Sequence, residues 1–125
     1  MRRLLPLALV PVLLAVPASA DAATIRCKVG YYAPGLAHGK PVVSKLRAVD
    51  LPRRTDGYAP RCLVAEAVAD AVKTGIEDTG ARPQQVRVQG ARWNGGRWTC
   101  EYDGAAAVCR HAGKPSRRVK FRLGA

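Results

Sequence analysis

Residues 61–74 read RCLVAEAVADAVKT and carry the strongest helical pattern in the chain. Apolar residues recur there at spacings of three and four, as on one face of an α-helix: Val64, Val68, Ala71 and Val72. Charged residues fall on the opposite side, which we expect to face solvent: Glu66, Asp70, Lys73 and Glu77. Pro60 suits the first turn, and Gly75 or Gly80 would end the helix. The apolar stripe predicts that this helix packs against another layer.

After this helix the chain changes to the period-two pattern of β-strands. Residues 86–93 and 97–102 flank Asn94-Gly95-Gly96, a sequence typical of a tight hairpin. Gly90 is interpreted as a bulge, which places Trp93 on the same face as Trp98. Residues 103–106 form a plausible turn into a further strand. Residues 119–123 then alternate as a last strand, after a loop rich in Gly, Pro and Ser.

Before the helix, residues 24–31 also alternate, with apolar residues up to Tyr31 on one face and Arg26 and Lys28 on the other. A Gly- and Pro-rich loop at 32–41 leads to a second predicted strand at 42–51, and another loop covers 52–59. The predicted order is therefore β-β-α-β-β-β-β. A single helix in such an order must cover one face of an antiparallel sheet, which predicts a two-layer α+β domain.

Four cysteines are present: Cys27, Cys62, Cys100 and Cys109. An even number in a small exported domain predicts two disulfides, with three connectivities open. We favour Cys27–Cys62 with Cys100–Cys109, because a four-residue turn would place the latter two directly opposite each other on neighbouring strands. A zinc site is the rival interpretation. There is no Cys-x-x-Cys, and the two histidines lack finger spacing.

Residues 1–20 have the three parts of a cleavable secretory signal peptide. Arg2 and Arg3 form a cationic start, an apolar run follows from Leu4 to Val16, and the segment ends with Ala18-Ser19-Ala20. The run is shorter than the roughly 20 residues of a membrane-spanning helix. We therefore expect residues 21–125 to form one exported domain, secreted or periplasmic. We expect no later transmembrane segment and no lipid anchor, since no cysteine stands at the cleavage point.

The chain is strongly basic, with 21 basic and 9 acidic residues and a net charge of +12. Loss of residues 1–20 removes two of the basic residues and none of the acidic ones, which leaves +10. Many cations fall on predicted strand faces opposite the core and are candidates for binding an anion: Arg26, Lys28, Lys45, Arg47, Arg87, Arg97, Lys120 and Arg122. Such a surface would attract an anionic polymer or an acidic protein. The alternative is a merely solvated face enriched in Arg by the codon usage of a GC-rich genome.

Catalytic patterns are weak. Ser44 and Ser116 do not stand in Gly-x-Ser-x-Gly, and His38 and His111 have no nucleophile nearby in the sequence. No motif identifies a cofactor, and cysteines paired in disulfides would be unavailable as nucleophiles. We therefore expect a protein that is not an enzyme and name no catalytic or metal-binding residue.

A group of residues in the second half resembles a type of small exported protein from GC-rich bacteria. These proteins show Cys-x-x-Ala at a helix start, Trp-x-Cys on a strand, another Cys and a closing Val-x-Phe. The matching residues are Cys62, Ala65, Trp98, Cys100, Cys109, Val119 and Phe121. The resemblance implies the α+β architecture and no particular activity.

A second similarity is to the subtilisin-inhibitor family of secreted protease inhibitors, in the sequence VRVQG at 86–90 leading to Trp93. Cys100 and Cys109 are too close together for that family's pattern, so no reactive-site residue is transferred.

The first expectation is an extracytoplasmic binding domain for an anionic partner. The second is a secreted enzyme inhibitor that uses the loop at 32–41 or at 52–59. A small hydrolase comes third.

Overall fold

A computed structural model describes residues 24–51, 61–88 and 96–124. The strands are β1 (Thr24–Arg26), β2 (Val43–Val49), β3 (Gln85–Val88), β4 (Gly96–Asp103), β5 (Ala106–His111) and β6 (Arg118–Leu123). The helix α1 (Arg61–Thr79) lies between β2 and β3, and a 3-10 turn spans Pro34–Ala37. The predicted order β-β-α-β-β-β-β is confirmed.

All six strands join one antiparallel sheet in the order β1-β2-β6-β5-β4-β3. The sheet therefore contains two local units, β1–β2 and β3–β4–β5–β6, which meet where β2 pairs with β6. Because β2 lies between β1 and β6, the first and last strands are two positions apart. The edges of the sheet are β1 and β3.

One face of the sheet is covered by α1 and forms the core. Val64, Val68 and Val72 of the helix are almost fully buried, as the apolar stripe predicts. From the sheet side, Trp98 and Phe121 are the largest buried side chains. The packing of one helix on one sheet face confirms the predicted two-layer α+β class.

The charged side of α1 is not uniformly exposed, so the sequence interpretation was wrong at two of its four residues. Asp70 and Glu77 are exposed, but Glu66 is only 1% exposed and Lys73 only 5%. The segment before β2 explains this burial, since both side chains hold its backbone. Glu66 accepts hydrogen bonds from backbone N–H groups of that segment, and Lys73 Nζ donates to the Pro41 carbonyl at 2.6 Å.

The first strand is shorter than its alternating pattern predicts. It ends at Arg26 rather than Tyr31, although the Cys27 N–H still donates to the Leu46 carbonyl at 2.8 Å. Gly30 adopts φ +85°, a conformation that favours glycine, and lets the chain turn away from the sheet. Tyr31 is consequently 67% exposed instead of buried.

Other helix and strand boundaries differ from the predicted ones by a few residues. The helix continues to Thr79 and ends before Gly80, which has φ +77°. Strand β3 is described only to Val88, so the proposed bulge at Gly90 and the position of Trp93 lie outside the described residues, as do residues 1–23 and the loop at 52–59.

Both favoured disulfides are confirmed. Cys27–Cys62 joins the chain just after β1 to the first turn of α1, with Cα atoms 5.4 Å apart. Cys100 and Cys109 are directly opposite on β4 and β5 and are also bonded. The first bridge ties the sheet edge to the helix, and the second closes a hairpin within the sheet.

Candidate anion-binding face

The face of the sheet opposite α1 carries most of the predicted cations. In β6 the buried residues Val119 and Phe121 alternate with Lys120 and Arg122, which therefore point away from the core. The same alternation holds in β3 and β4, where the outward positions are exposed. We refer to this surface, which lies on the other side of the sheet from α1, as the open face.

Three cations lie side by side across neighbouring strands of the open face. Arg26 is opposite Arg47 in the β1–β2 pair, and Arg47 is opposite Lys120 in the β2–β6 pair. Adjacent strands are separated by about 4.8 Å, so the three Cα atoms span about 10 Å. Like charges directly opposite each other destabilise a sheet.

A β-bulge adds a fourth cation to this group. One extra residue lies in β2 between Ser44, which is opposite Arg122, and Arg47, and Lys45 within it has φ +52°. A side chain other than glycine in this left-handed region costs about 1–2 kcal/mol. The bulge exposes Lys45 beside Arg47, where both line two shallow grooves of about 340 and 400 Å³. We define the cationic face as Arg26, Lys45, Arg47, Lys120 and Arg122.

The remaining three predicted candidates are not brought to this group. Lys28 lies beyond the end of β1 and lines a small pocket with Tyr31, Tyr32 and Cys62 instead of continuing the strand face. Arg87 and Arg97 are opposite each other and exposed on β3 and β4, at the other side of the sheet. The eight predicted cations therefore lie in three places: the cationic face, the β3–β4 pair and the pocket at Lys28.

Two further arginines on the open face were missed from the sequence. Arg118 is opposite Arg110, and Arg110 in turn donates from Nη1 to Glu101 Oε1 at 2.8 Å. The signal was available: Arg118 stands two residues before Lys120 in the same alternating strand. The strand predicted at residues 119–123 begins one residue too late to include it.

The open face also contains acidic and apolar positions. Glu101 and Asp103 are exposed on β4, and between them and β6 the central strand β5 presents Ala106 and Val108. These four residues line a groove of about 770 Å³ together with neighbouring residues of β4 and β5. The acidic and apolar positions of β4 and β5 thus separate the cationic face from Arg87 and Arg97 at the other side of the sheet.

A second exposed feature is an aromatic pair at the β1 edge. Tyr31 and Tyr32 are 67% and 41% exposed, with ring centroids 4.8 Å apart and planes perpendicular. The Glu66 carboxylate holds the backbone beneath them by accepting from the N–H groups of Tyr32 and Ala33, at 3.0 and 2.8 Å. The following turn is anchored by Leu36, which is fully buried.

The two histidines of the chain lie beside turns. His111 Nδ1 accepts from the backbone N–H groups of Gly113 and Lys114 at 3.0 and 3.1 Å, which shapes the turn after β5. His38 is exposed at the end of the 3-10 turn. Within residues 24–51, 61–88 and 96–124, no three His, Cys, Asp or Glu side chains converge in a way that could hold a metal ion.

No family model, curated protein or solved structure matches this chain. Among the described residues, no helix is long and apolar enough to cross a membrane. The candidate site accordingly rests on the geometry of the open face.

Proposed function

We propose that this chain is an exported, non-enzymatic binding domain that takes an anionic partner on the cationic face. The signal-peptide pattern of residues 1–20 supports export to the periplasm or the medium. The two disulfides also suit an oxidising compartment, since such bonds are rare where thiols are kept reduced.

The row of Arg26, Arg47 and Lys120 is the observation that carries the proposal. Strand pairing places these like charges next to each other, and the bulge at Lys45 adds a strained residue to the same surface. Both features oppose stability, and an anion bound across the row would relieve the repulsion. Recruitment by charge also suits a protein with an excess of basic residues, because its field attracts anions over about a Debye length.

The test compares two triple variants of the mature chain, each of which loses three positive charges. The first changes Arg26, Arg47 and Lys120 to Ser. The control changes Lys40, Arg61 and Lys114 to Ser, three cations outside the open face. Salt elution from immobilised heparin, and binding of a labelled single-stranded oligonucleotide, measure the attraction. We expect the first variant to elute at clearly lower salt and the control to elute close to wild type.

Equal losses in the two variants would mean that net charge alone produces the attraction, and the face would have to be abandoned as a site. Circular dichroism of both variants verifies that each retains the fold. Absence of retention by the wild-type protein itself would contradict the proposal directly.

A protein-inhibitor function is the second candidate, and the aromatic pair favours it. Glu66 and the Cys27–Cys62 bridge hold the backbone around Tyr31 and Tyr32, so these exposed rings are presented with little loss of freedom on binding. Tyrosine is also enriched among residues that dominate protein interfaces. Tyr31→Ala with Tyr32→Ala would abolish such an interaction and leave heparin retention unchanged.

A further inference from the structure

Two successive rows of the open face repeat the same chemistry across three strands. Lys120 on β6 is opposite Val108 on β5, which is opposite Glu101 on β4. Two residues along, Arg122 is opposite Ala106, which is opposite Asp103. Each row therefore runs from a cation through a small apolar residue to a carboxylate.

These rows form a trough along β5. The grooves of about 770 and 400 Å³ on its two sides share Ala106 and Val108, which are half-buried and make the floor. Lys120 and Arg122 form a cationic wall, and Glu101 and Asp103 form an acidic wall about two strand spacings, or roughly 10 Å, away. We call this feature the β5 trough.

We infer that the β5 trough binds an extended segment of a protein partner that has acidic side chains at alternate positions. This inference rests on the proposed function and specifies its anionic partner. Alternate residues of an extended chain repeat about every 6.8 Å, which is also the spacing between Lys120 and Arg122 along β6. Acidic side chains at that period reach both cations of the wall, while the intervening side chains face the acidic wall and must not themselves be acidic.

The acidic wall favours such a peptide over nucleic acid. A strand with a charge on every unit would bring phosphates close to Glu101 and Asp103, and like-charge contacts oppose binding. Glu101 is partly neutralised by Arg110, but Asp103 remains exposed beside Ala106. Recognition of single-stranded nucleic acid also relies on aromatic stacking, and the described part of the open face presents no exposed aromatic ring along the trough.

The experiment uses two fluorescein-labelled peptides of about ten residues and identical composition. In one, Glu and Thr alternate; in the other, all Glu residues are adjacent. A single-stranded oligonucleotide is the third probe, and fluorescence anisotropy with the mature chain gives each Kd. We expect the alternating peptide to bind at least about tenfold more tightly than the block peptide, because every second Glu of the block would face the acidic wall, where like charges oppose binding.

A variant that fills the trough without changing charge separates this site from general attraction. Val108→Trp should weaken binding of the alternating peptide at least about tenfold, whereas Gln85→Trp, at an exposed position of the open face outside the trough, should not. Thermal melting verifies that both variants fold.

Equal affinity for the two peptides, or no effect of Val108→Trp, would overturn the inference while heparin retention could still support the proposed cationic face. Tighter binding of the oligonucleotide than of the alternating peptide would identify nucleic acid as the partner class instead. Failure of every anionic probe would contradict the proposed function itself.

Discussion

The carboxylate of Glu66 lies 3.0 Å from the backbone nitrogen of Tyr32, a residue 34 positions earlier in the chain. Both carboxylate oxygens accept from this N–H, and one also accepts from Ala33. The helix thereby supplies hydrogen bonds to a segment that has left the sheet and forms no ladder with it. This contact fixes the position of the exposed tyrosine pair.

Replacement of Glu66 should therefore destabilise the domain. Glu66→Ala leaves the N–H groups of Tyr32 and Ala33 without their acceptor, and we expect the free energy of unfolding to fall by about 2 kcal/mol or more. Glu66→Gln retains one acceptor oxygen, so its free energy of unfolding should lie between those of Glu66→Ala and wild type. Urea unfolding measures the change, provided that the slope of the transition is unaltered.

Asp70→Ala provides the control, because Asp70 is exposed one helical turn away. It should change stability by less than about 0.5 kcal/mol. If Glu66→Ala were as stable as Asp70→Ala, the carboxylate would have no role in holding the segment at 31–33.

Glu66 also shows where local sequence patterns stop being informative. The sequence correctly predicts that Glu66 lies on the side of α1 opposite the apolar stripe. The prediction that this side faces solvent is wrong for Glu66. The segment between β1 and β2 covers it instead, and only the tertiary arrangement reveals this. Lys73 is buried for the same reason, because the segment before β2 covers it and accepts its hydrogen bond at the Pro41 carbonyl.

Features that depend on residues close together in the sequence were predictable. The Cys100–Cys109 pair followed from the length of the hairpin turn, and the helix-on-sheet class followed from periodicity and the order of elements. The candidate face was only partly predictable, because alternation states which side of a strand a residue occupies and not which strands are neighbours. Pairing of β2 with β6 brought Arg47 next to Lys120, while Arg87 ended near the opposite edge.

The helix packing can be tested at Val68, which has no exposed surface. Val68→Asp places a charge against the sheet without a partner, and we expect a loss of several kcal/mol or failure to fold. Thr74→Asp, on the exposed side of the same helix, should cost no more than about 1 kcal/mol, mainly through like-charge pairs with Asp70 and Asp78. Equal melting temperatures for Val68→Asp and wild type would show that α1 is not packed on the sheet.

Both disulfides should be present in the exported protein. Alkylation without reduction, followed by mass spectrometry, should find no free thiol. After chymotryptic cleavage at Tyr102, the fragments that contain Cys100 and Cys109 should remain linked until a reductant is added. A linked fragment that joins Cys62 to either of them would contradict the connectivity while leaving two disulfides intact.

The exported form should begin at Asp21. Ala18-Ser19-Ala20 has small residues where signal peptidase requires them, so cleavage is expected after Ala20. N-terminal sequencing of protein recovered from the periplasm or the medium tests this directly. Recovery of material that still begins at Met1 would remove the main support for a cleavable signal peptide.

Stability at alkaline pH should depend on Tyr102. Its hydroxyl donates to the Pro83 carbonyl at 2.5 Å, and burial raises the pKa of Tyr102 above the ordinary value of 10.0, with Arg82 acting in the opposite direction. The folded state therefore retains this proton at pH values where the unfolded chain has lost it. Stability associated with the proton is complete below pH 10.0 and declines as the pH rises through the folded-state pKa.

Tyr102→Phe isolates this effect from the titration of lysines, since the variant lacks the phenolic proton and keeps the ring. Below pH 10.0 the wild type should be the more stable protein, by about 1 kcal/mol for the lost hydrogen bond. Its advantage should shrink as the pH rises beyond that value, because the phenolate cannot donate to Pro83. Urea unfolding of both proteins over a pH series measures the difference, and an advantage that stays constant across the series would show that folding leaves the pKa of Tyr102 unchanged.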